Sequence, residues 1–249
     1  MRIIQITDLH IGRTDENSHG VDVRSNFLNI LAEVKFAKPD YLVITGDLCL
    51  HNGNEGVYQW IKARLLKLGI PFYLIPGNHD DSQLMREVFE MNFVKDREEL
   101  YYAVKLGRQT CLFMDNSAAQ HSEVQLLWLK RQLYQAEDET LFLFTHYPPY
   151  LAGVPFMDTK HPLKDMEAIQ LILQSYAAPI HVFCGHYHVE KTLHADNTHV
   201  HITPSCYVQI GQENVEFEAD HHRIAMRIID VDNSLITTTV RYFEGAKLA

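Results

Sequence analysis

The hydrophobic residues of this chain fall first into short runs and later into alternating segments. Six runs of four to six residues are rich in β-branched or aromatic side chains, as buried strands are: residues 2–7, 41–45, 71–75, 111–114, 141–145 and 180–184. Runs this short favour strands, because helices are usually longer.

Segments with helical periodicity separate these runs. In the first of them, apolar side chains recur every three or four residues, namely Phe27, Ile30, Leu31 and Val34. The second, residues 54–68, stops at Gly69. Ser122 and Gln125 have the spacing of a capping box and begin the third, and residues 165–176 form the last.

After Gly185 the pattern changes to successive strands with polar or turn residues between them: 189–194, 198–203, 206–210, 215–219, 222–231 and 235–243. Strands alternating with helices, followed by an antiparallel tail, predict an α/β fold with two packed sheets and helices on the outer faces. We therefore expect one domain over residues 1–249, a four-layer α/β/β/α sandwich of two mixed sheets.

Composition narrows the choice of partner. The formal net charge is −10, and the basic residues form no cluster, so a nucleic-acid polymer is disfavoured. The four cysteines show no disulfide pattern. The first residues lead directly into a strand, and no apolar run reaches the ~20 residues of a membrane span. We expect a cytoplasmic protein without membrane contact.

Candidate metal ligands follow the predicted strands in five motifs. These are Asp8-Leu9-His10, Gly46-Asp47, Gly77-Asn78-His79-Asp80, His146 and Gly185-His186-Tyr187-His188. Ligands bind outside the carboxyl ends of strands in open α/β sheets, so these residues should converge at one edge. Carboxylate, amide oxygen and imidazole suit hard to borderline divalent cations. The set is too rich for one ion and about right for two.

This series, spanning Asp8 to His188, resembles that of the calcineurin-like metallophosphoesterase superfamily. The resemblance implies a binuclear centre in which Asp47 serves both metals. Its first site would be Asp8, His10, Asp47 and His188. Its second site would be Asp47, Asn78, His146 and His186. Manganese, iron, zinc and cobalt all fit such ligands.

The resemblance also implies catalytic roles. His79 would lie over the substrate phosphate and stabilise the transition state or protonate the leaving group, and Asp80 would fix the tautomer of His79. Water activated between the metals would attack phosphorus. His51 and Tyr147 are further candidates for the pocket mouth and for substrate contact.

A finer resemblance is to the class III cyclic-nucleotide phosphodiesterases. It is carried by Trp128-Leu129, Tyr147-Pro148-Pro149, Gly153, Met157-Asp158, Leu163 and Thr203-Pro204-Ser205-Cys206. The implied activity is hydrolysis of a small phosphodiester, best a 3′,5′-cyclic nucleotide. Alternatives are a phosphomonoesterase or protein phosphatase, a glycerophosphodiesterase, and a non-catalytic protein-binding scaffold. The same resemblance implies a homodimer, because in the class III branch the region that corresponds to the strand-rich tail, residues 189–243, helps to build a dimer.

Overall fold

In a computed structural model, which describes residues 1–14, 16, 18–91, 98–137 and 139–248, the chain forms strands and helices in alternation. The strands are β1 Arg2–Ile6, β2 Tyr41–Thr45, β3 Phe72–Ile75, β4 Tyr102–Leu106, β5 Gln109–Phe113, β6 Leu141–Phe144, β7 Ile180–Cys184, β8 Lys191–Ala195, β9 Thr198–Ile202, β10 Gln209–Ile210, β11 Ala219–His221, β12 Ile224–Asp232 and β13 Leu235–Phe243. The helices are α1 Val23–Ala37, α2 Glu55–Leu68, α3 Ser82–Val88, α4 Glu123–Gln135, α5 Pro155–Lys160 and α6 Met166–Gln174.

Two large sheets result. Sheet 1 has the order β13-β12-β1-β2-β3, in which β1, β2 and β3 are parallel and β12 is antiparallel to β1. Sheet 2 has the order β4-β5-β6-β7-β9-β8, with a parallel centre of β5, β6, β7 and β9. Strands β10 and β11 pair separately.

The sheets pack face to face, and helices cover their outer faces. Phe113, Phe142, Phe144 and Phe183 of sheet 2 belong to one buried cluster with the strands of sheet 1 and with α1 and α2. The outer face of sheet 2 packs with α4, α5 and α6 in a second cluster. The four-layer α/β/β/α sandwich expected from the sequence is therefore confirmed.

A buried polar network also joins the two sheets. The Gln5 side chain of β1 donates to the hydroxyl of Thr45 at 2.8 Å and to the carbonyl of Cys184 at 3.2 Å. Arg227 of β12 reaches the hydroxyl of Thr203 and the carbonyl of Ile202, both at 2.8 Å. These buried groups are satisfied by one another, so the network orients one sheet on the other.

Two strand predictions in the tail, 206–210 and 215–219, were wrong over most of their length, since only Gln209–Ile210 and Ala219 belong to strands. Residues 206–208 form a turn, because the Ser205 hydroxyl accepts from the backbone of Tyr207 at 2.7 Å and the Ser205 amide donates to Gln209 at 3.0 Å. Residues 215–218 are a loop in which Val215 and Phe217 are exposed. Alternating apolar residues there meet no sheet face that would bury them.

The helix ends follow the sequence closely. Asn54 caps α2 and Gly69 ends it in a left-handed conformation with φ of 73°. Ser122 caps α4 by accepting from Gln125, as expected, but the Gln125 side chain binds the backbone of Asp115 instead of closing the capping box. In the part of the chain that the structure describes, each helix is too short or too polar to span a bilayer.

Candidate metal centre

The parallel strands of both sheets end at the same edge of the sandwich. Backbone hydrogen bonds join the loops that follow them: Asp8 donates to Gly46 and His10 to Asp47, both at 3.0 Å, and Gly185 donates to His146 at 3.1 Å. The loops of the two sheets also meet, because the His186 amide after β7 donates to the Asp8 carboxylate after β1 at 3.1 Å. The structure brings all seven sequence-predicted ligands to this edge.

The ligand backbone is held in conformations that L-residues rarely adopt. Five of the seven predicted ligands have φ between 46° and 65°, namely Asp8, His10, Asp47, His186 and His188. A non-glycine residue in this region costs free energy and is found mainly where the surroundings impose it, often at functional sites. The cluster of five is thus evidence that the loops are built to aim these side chains.

Two motif glycines allow the loops to approach closely. A Cβ atom on Gly77 would collide with the side chain and backbone of Asp47. A Cβ atom on Gly185 would collide with the Thr7 hydroxyl and lie 2.5 Å from the Asp8 carboxylate. Each glycine therefore makes room for a predicted ligand.

The first group of predicted ligands is compact. The Nε2 atoms of His10 and His188 are 3.2 Å apart, and His188 Nε2 lies 3.3 Å from Asp8 Oδ1. The ligand atoms of these three buried residues all lie within 4.8 Å of one another. Two imidazoles and a carboxylate at such distances are able to coordinate one divalent cation.

The second group lies beside it, and the Asp47 carboxylate approaches both groups. Asp47, His146 and His186 also have ligand atoms within 4.8 Å of one another. Asp47 Oδ2 lies 3.4 Å from His146 Nε2 and 3.6 Å from His10 Nε2, so the carboxylate stands between the two groups. The exposed Asn78 places its Oδ1 atom 3.2 Å from His146 Nε2.

Backbone carbonyls fix the orientation of three imidazoles. His146 Nδ1 lies 2.8 Å from the carbonyl of Thr45, and His188 Nδ1 lies 2.7 Å from that of Val208. His186 Nε2 lies 3.0 Å from the carbonyl of His161. A ring nitrogen that donates to a carbonyl leaves the other nitrogen with its lone pair free for a cation, as metal-binding histidines require. The residues present therefore fit a metal centre.

Burial and mutual charge set the protonation of these groups. Burial raises the pKa of Asp8, but His188 and His146 outweigh it and bring this pKa to about 2. Burial lowers the pKa of His10 and of His186 to about 3. Asp47 raises the pKa of His146 to about 9 in opposition to burial. At neutral pH Asp8 is therefore ionised and His10 and His186 are neutral, as metal binding requires. His146 must first release a proton.

His79 lies at the open side of the centre. Its side chain is 34% exposed, and its Nε2 atom is 3.9 Å from Asp47 Oδ2. The acceptor that faces its Nδ1 atom is the backbone carbonyl of His51, at 3.0 Å. The ring is thus oriented with one nitrogen toward the centre.

The role that the sequence suggested for Asp80 needs correction, because its carboxylate does not orient His79. It accepts hydrogen bonds from the backbone amides of Leu48, Cys49 and Gly77 and from the hydroxyl of Tyr58, at 3.0–3.1 Å. Burial, followed by the charge of Asp47, raises the pKa of Asp80 to about 6. Asp80 therefore holds the loops after β2 and β3 together, and His51 supplies the acceptor for His79.

Tyr147, expected from the sequence to contact substrate, is buried, and its ring packs on His186 with centroids 3.7 Å apart.

The sequence reasoning missed Asn116, whose buried Oδ1 accepts from the backbone amides of His146 and Tyr147 at 3.3 and 3.2 Å. Asn116 follows the apolar strand β5, so the strand-end pattern that marked the ligands would also have found it.

Comparisons with known proteins agree with this geometry. The family model described as calcineurin-like phosphoesterase matches residues 1–190. A protein of Fibrobacter succinogenes named as a probable cyclic nucleotide phosphodiesterase is 32% identical, over 98% of this chain and 94% of its own length. A probable glycerophosphodiester phosphodiesterase of Arcobacter nitrofigilis is 30% identical, over 77% of this chain and 73% of its own.

The 3′,5′-cyclic adenosine monophosphate phosphodiesterase of Escherichia coli K12 is 26% identical over 97% of this chain and 90% of its own. Among solved structures, a dimetal phosphatase from Danio rerio superposes with a TM-score of 0.69 at 12% identity, over 100% of this chain and 96% of that one. This structural likeness concerns the fold alone.

Proposed function

Because the chain belongs to the calcineurin-like phosphoesterase family, we propose that it is a metal-dependent phosphodiesterase whose best substrate is a 3′,5′-cyclic nucleotide. The observation that carries the proposal is the position of Asp47 between two groups of buried ligands, 3.4 Å from His146 and 3.6 Å from His10. A carboxylate with two oxygens is able to serve two cations in this position.

We propose that two divalent cations bind, one with Asp8, His10, Asp47 and His188 and the other with Asp47, Asn78, His146 and His186. When bound, such a pair neutralises charge on the phosphoryl group and lowers the pKa of a water molecule toward neutrality. Mixed nitrogen and oxygen ligands suit manganese, iron, zinc and cobalt alike.

The protein contributes orientation and a proton site. The Nε2 atom of His79 faces the centre, because the carbonyl of His51 holds the opposite nitrogen. When the ring carries protons on both nitrogens, Nδ1 donates to the His51 carbonyl, and Nε2 would donate a hydrogen bond to the phosphoryl group or give its proton to the departing alkoxide. Buried Asp8 and Asp47 would offset two of the four positive charges of a divalent pair, so the centre would stay positive toward a phosphate.

The names of the relatives support a phosphodiester as the substrate in preference to a phosphomonoester. Three of the relatives described above are named as phosphodiesterases, and those named for cyclic nucleotides align with nearly the whole chain. The glycerophosphodiesterase relative aligns with 77% of it. Hydrolysis of a glycerophosphodiester is therefore the second candidate, and a phosphomonoesterase or protein phosphatase is the third.

Elemental analysis of the purified protein followed by a hydrolysis panel tests this proposal. The panel sets cyclic AMP and cyclic GMP against glycerophosphodiesters and simple monoesters. We expect about two equivalents of a transition metal and the highest kcat/KM for a cyclic nucleotide, with Asp47→Asn losing both metal and turnover. A fully metallated protein that hydrolyses none of these compounds would instead support the scaffold hypothesis.

We further propose a single folding domain and a homodimer built through the strand-rich tail. The tail contains the long strand β13, which lies at the edge of sheet 1 and has β12 as its neighbour in the sheet. A monomeric mass at micromolar concentration, measured by light scattering, would contradict the dimer. The cytoplasmic location stays a prediction, which cell fractionation tests.

A further inference from the structure

Three aromatic side chains form a row that leads outward from the metal centre, and we call the row of His161, Phe156 and Phe217 the aromatic wall. The ring centroid of His161 lies 6.4 Å from that of His186. Phe156 follows 5.4 Å from His161, and Phe217 lies 5.8 Å from Phe156. His186 is buried, whereas 57% of Phe217 is exposed. The wall therefore runs from the proposed ligands to the surface.

Hydrogen bonds hold the wall against the metal-binding loops. The Asp158 carboxylate of α5 accepts from two backbone amides of the preceding loop and from the hydroxyl of Tyr187 at 2.8 Å. In the sequence, Tyr187 lies between His186 and His188, the two predicted ligands of the last motif. The carbonyl of His161 faces Nε2 of His186 at 3.0 Å. The first ring of the wall is thus fixed relative to the centre before any substrate arrives.

The outer end of the wall is also anchored and has a distinct charge. The amide of Phe156 donates to the carbonyl of Asn214 at 3.1 Å, which ties the loop of Phe217 to α5. The same loop carries the exposed carboxylates Glu213, Glu216 and Glu218. Several negative charges around Phe217 would repel a second phosphate. The occupant of this end should therefore be planar or apolar and not anionic.

Building on the proposed function, we propose that the aromatic wall binds the base of a nucleotide while its phosphate lies at the metal centre. Aromatic side chains stack on the face of any nucleobase and lose little conformational entropy when they do so. A sugar separates phosphate from base, and the wall begins one ring away from His186. An ethanolamine or glycerol headgroup has no planar face to stack.

Phe217→Ala and His161→Ala in the metal-loaded full chain test the wall. His161→Ala keeps the carbonyl that orients His186, and Phe217 is exposed, so both variants should fold. Phe36→Ala is the matched control, because Phe36 is 79% exposed on α1. Calorimetry measures the dissociation constants of adenosine 5′-monophosphate and inorganic phosphate, and kinetics compare cyclic AMP with glycerophosphoethanolamine.

We expect each wall variant to weaken binding of adenosine 5′-monophosphate by about tenfold and to raise KM for cyclic AMP similarly. Phosphate binding and turnover of glycerophosphoethanolamine should change less than about twofold, and Phe36→Ala should change nothing. Unaltered nucleotide binding in both variants would overturn the proposal. So would an equal loss for nucleotide and phosphate, which indicates a general disturbance of the site.

The two proposals fail in different ways. A wild-type protein that binds the nucleotide through Phe217 but hydrolyses no diester would refute the proposed function and leave the wall supported. Hydrolysis of cyclic AMP with a KM that neither variant changes would refute the wall alone.

Discussion

At the scale of single residues, the predicted ligands depend on backbone conformations and close contacts that few side chains tolerate. Gly185 shows this dependence most directly, because an added Cβ atom would collide with Thr7 and crowd Asp8. We expect Gly185→Ala to displace Asp8 and to lower both metal content and stability, the latter by about 1–3 kcal/mol. Elemental analysis and urea denaturation measure the two effects.

Gly56→Ala is the control for that substitution. Gly56 lies in the first turn of α2, and an added Cβ would make an ordinary contact, 3.4 Å from Asn54 Oδ1. Stability should be unchanged or raised by up to about 1 kcal/mol, because alanine favours the helix. A Gly185→Ala protein with full metal content would contradict the close-approach argument.

His79 is the residue whose substitution separates catalysis from metal binding. His79→Ala should keep its metals, since all seven predicted ligands are untouched, and should lower kcat by about 10²–10⁴ through loss of the proton donor. Metal analysis and steady-state kinetics on the same preparation provide the measurement. A parallel loss of metal and turnover would show that His79 acts as a ligand.

At the scale of secondary-structure elements, Arg227 links β12 to sheet 2. Its guanidinium donates to the hydroxyls of Thr203 and Thr238 and to the carbonyl of Ile202, each at 2.8 Å. We expect Arg227→Ala to lower the free energy of unfolding by about 2–4 kcal/mol, because two buried acceptors, on Thr203 and Ile202, and the partly buried hydroxyl of Thr238 lose a charged donor. Urea denaturation measures the loss. The control is Arg241→Ala at an exposed position on β13, which should lower the free energy of unfolding by less than about 0.5 kcal/mol.

Buried histidines in sheet 2 make stability depend on pH. Burial lowers the pKa of His201 on β9 from 6.5 to about 3, so the unfolded chain takes up this proton first on acidification. The stability that depends on His201 remaining neutral in the fold is complete above pH 6.5 and is lost as the pH falls toward 3. Between pH 7 and 5 the loss should be about 1–2 kcal/mol for His201.

Denaturation midpoints at pH 7 and 5 measure this loss. His201→Gln should reduce the difference between the two pH values by about 1–2 kcal/mol, because glutamine does not titrate. The same substitution at the exposed His19 should leave the difference unaltered. An identical pH difference in wild type and His201→Gln would contradict the assignment.

The elements also show what the sequence was able to predict. Compact apolar runs predicted the central strands of both sheets, since burial on two faces leaves a strong pattern. Strand β4, Tyr102–Leu106, was missed because it lies at an edge and alternates buried with exposed residues. Helix α5 was missed because six residues beginning with a proline show no clear period.

In the candidate site, the strand-end residues were predictable, but several of their partners were not. The carbonyls of Thr45, Val208 and His161 orient histidines through backbone atoms, which every residue possesses. No side-chain pattern can reveal such partners. The same reason explains why Asp80, and not the His51 carbonyl, was expected beside His79.

At the scale of the whole molecule, the predicted ligands join the two sheets. Asp8, His10, Asp47 and Asn78 follow strands of sheet 1, whereas His146, His186 and His188 follow strands of sheet 2. Removal of cations with a chelator should therefore lower the thermal unfolding midpoint by several degrees, since bound ligand stabilises the folded state by mass action. Scanning calorimetry measures the shift.

The Asp47→Asn variant is the control for chelation. If it no longer holds the cations, the chelator should leave its midpoint unchanged. A wild-type midpoint that is also indifferent to the chelator, in a protein shown to contain metal beforehand, would contradict a role of the cations in joining the sheets.

The proposed sharing of Asp47 by two cations would have a consequence for stoichiometry. One negative charge divided between two cations attracts the second less strongly than the first, so occupancy should rise in two steps as metal is added. Turnover would then rise only as the second, more weakly bound cation fills its site. A preparation with one equivalent per chain would contain metal and still be inert, and the titration curve, not the metal content alone, would distinguish a defective protein from a half-filled one.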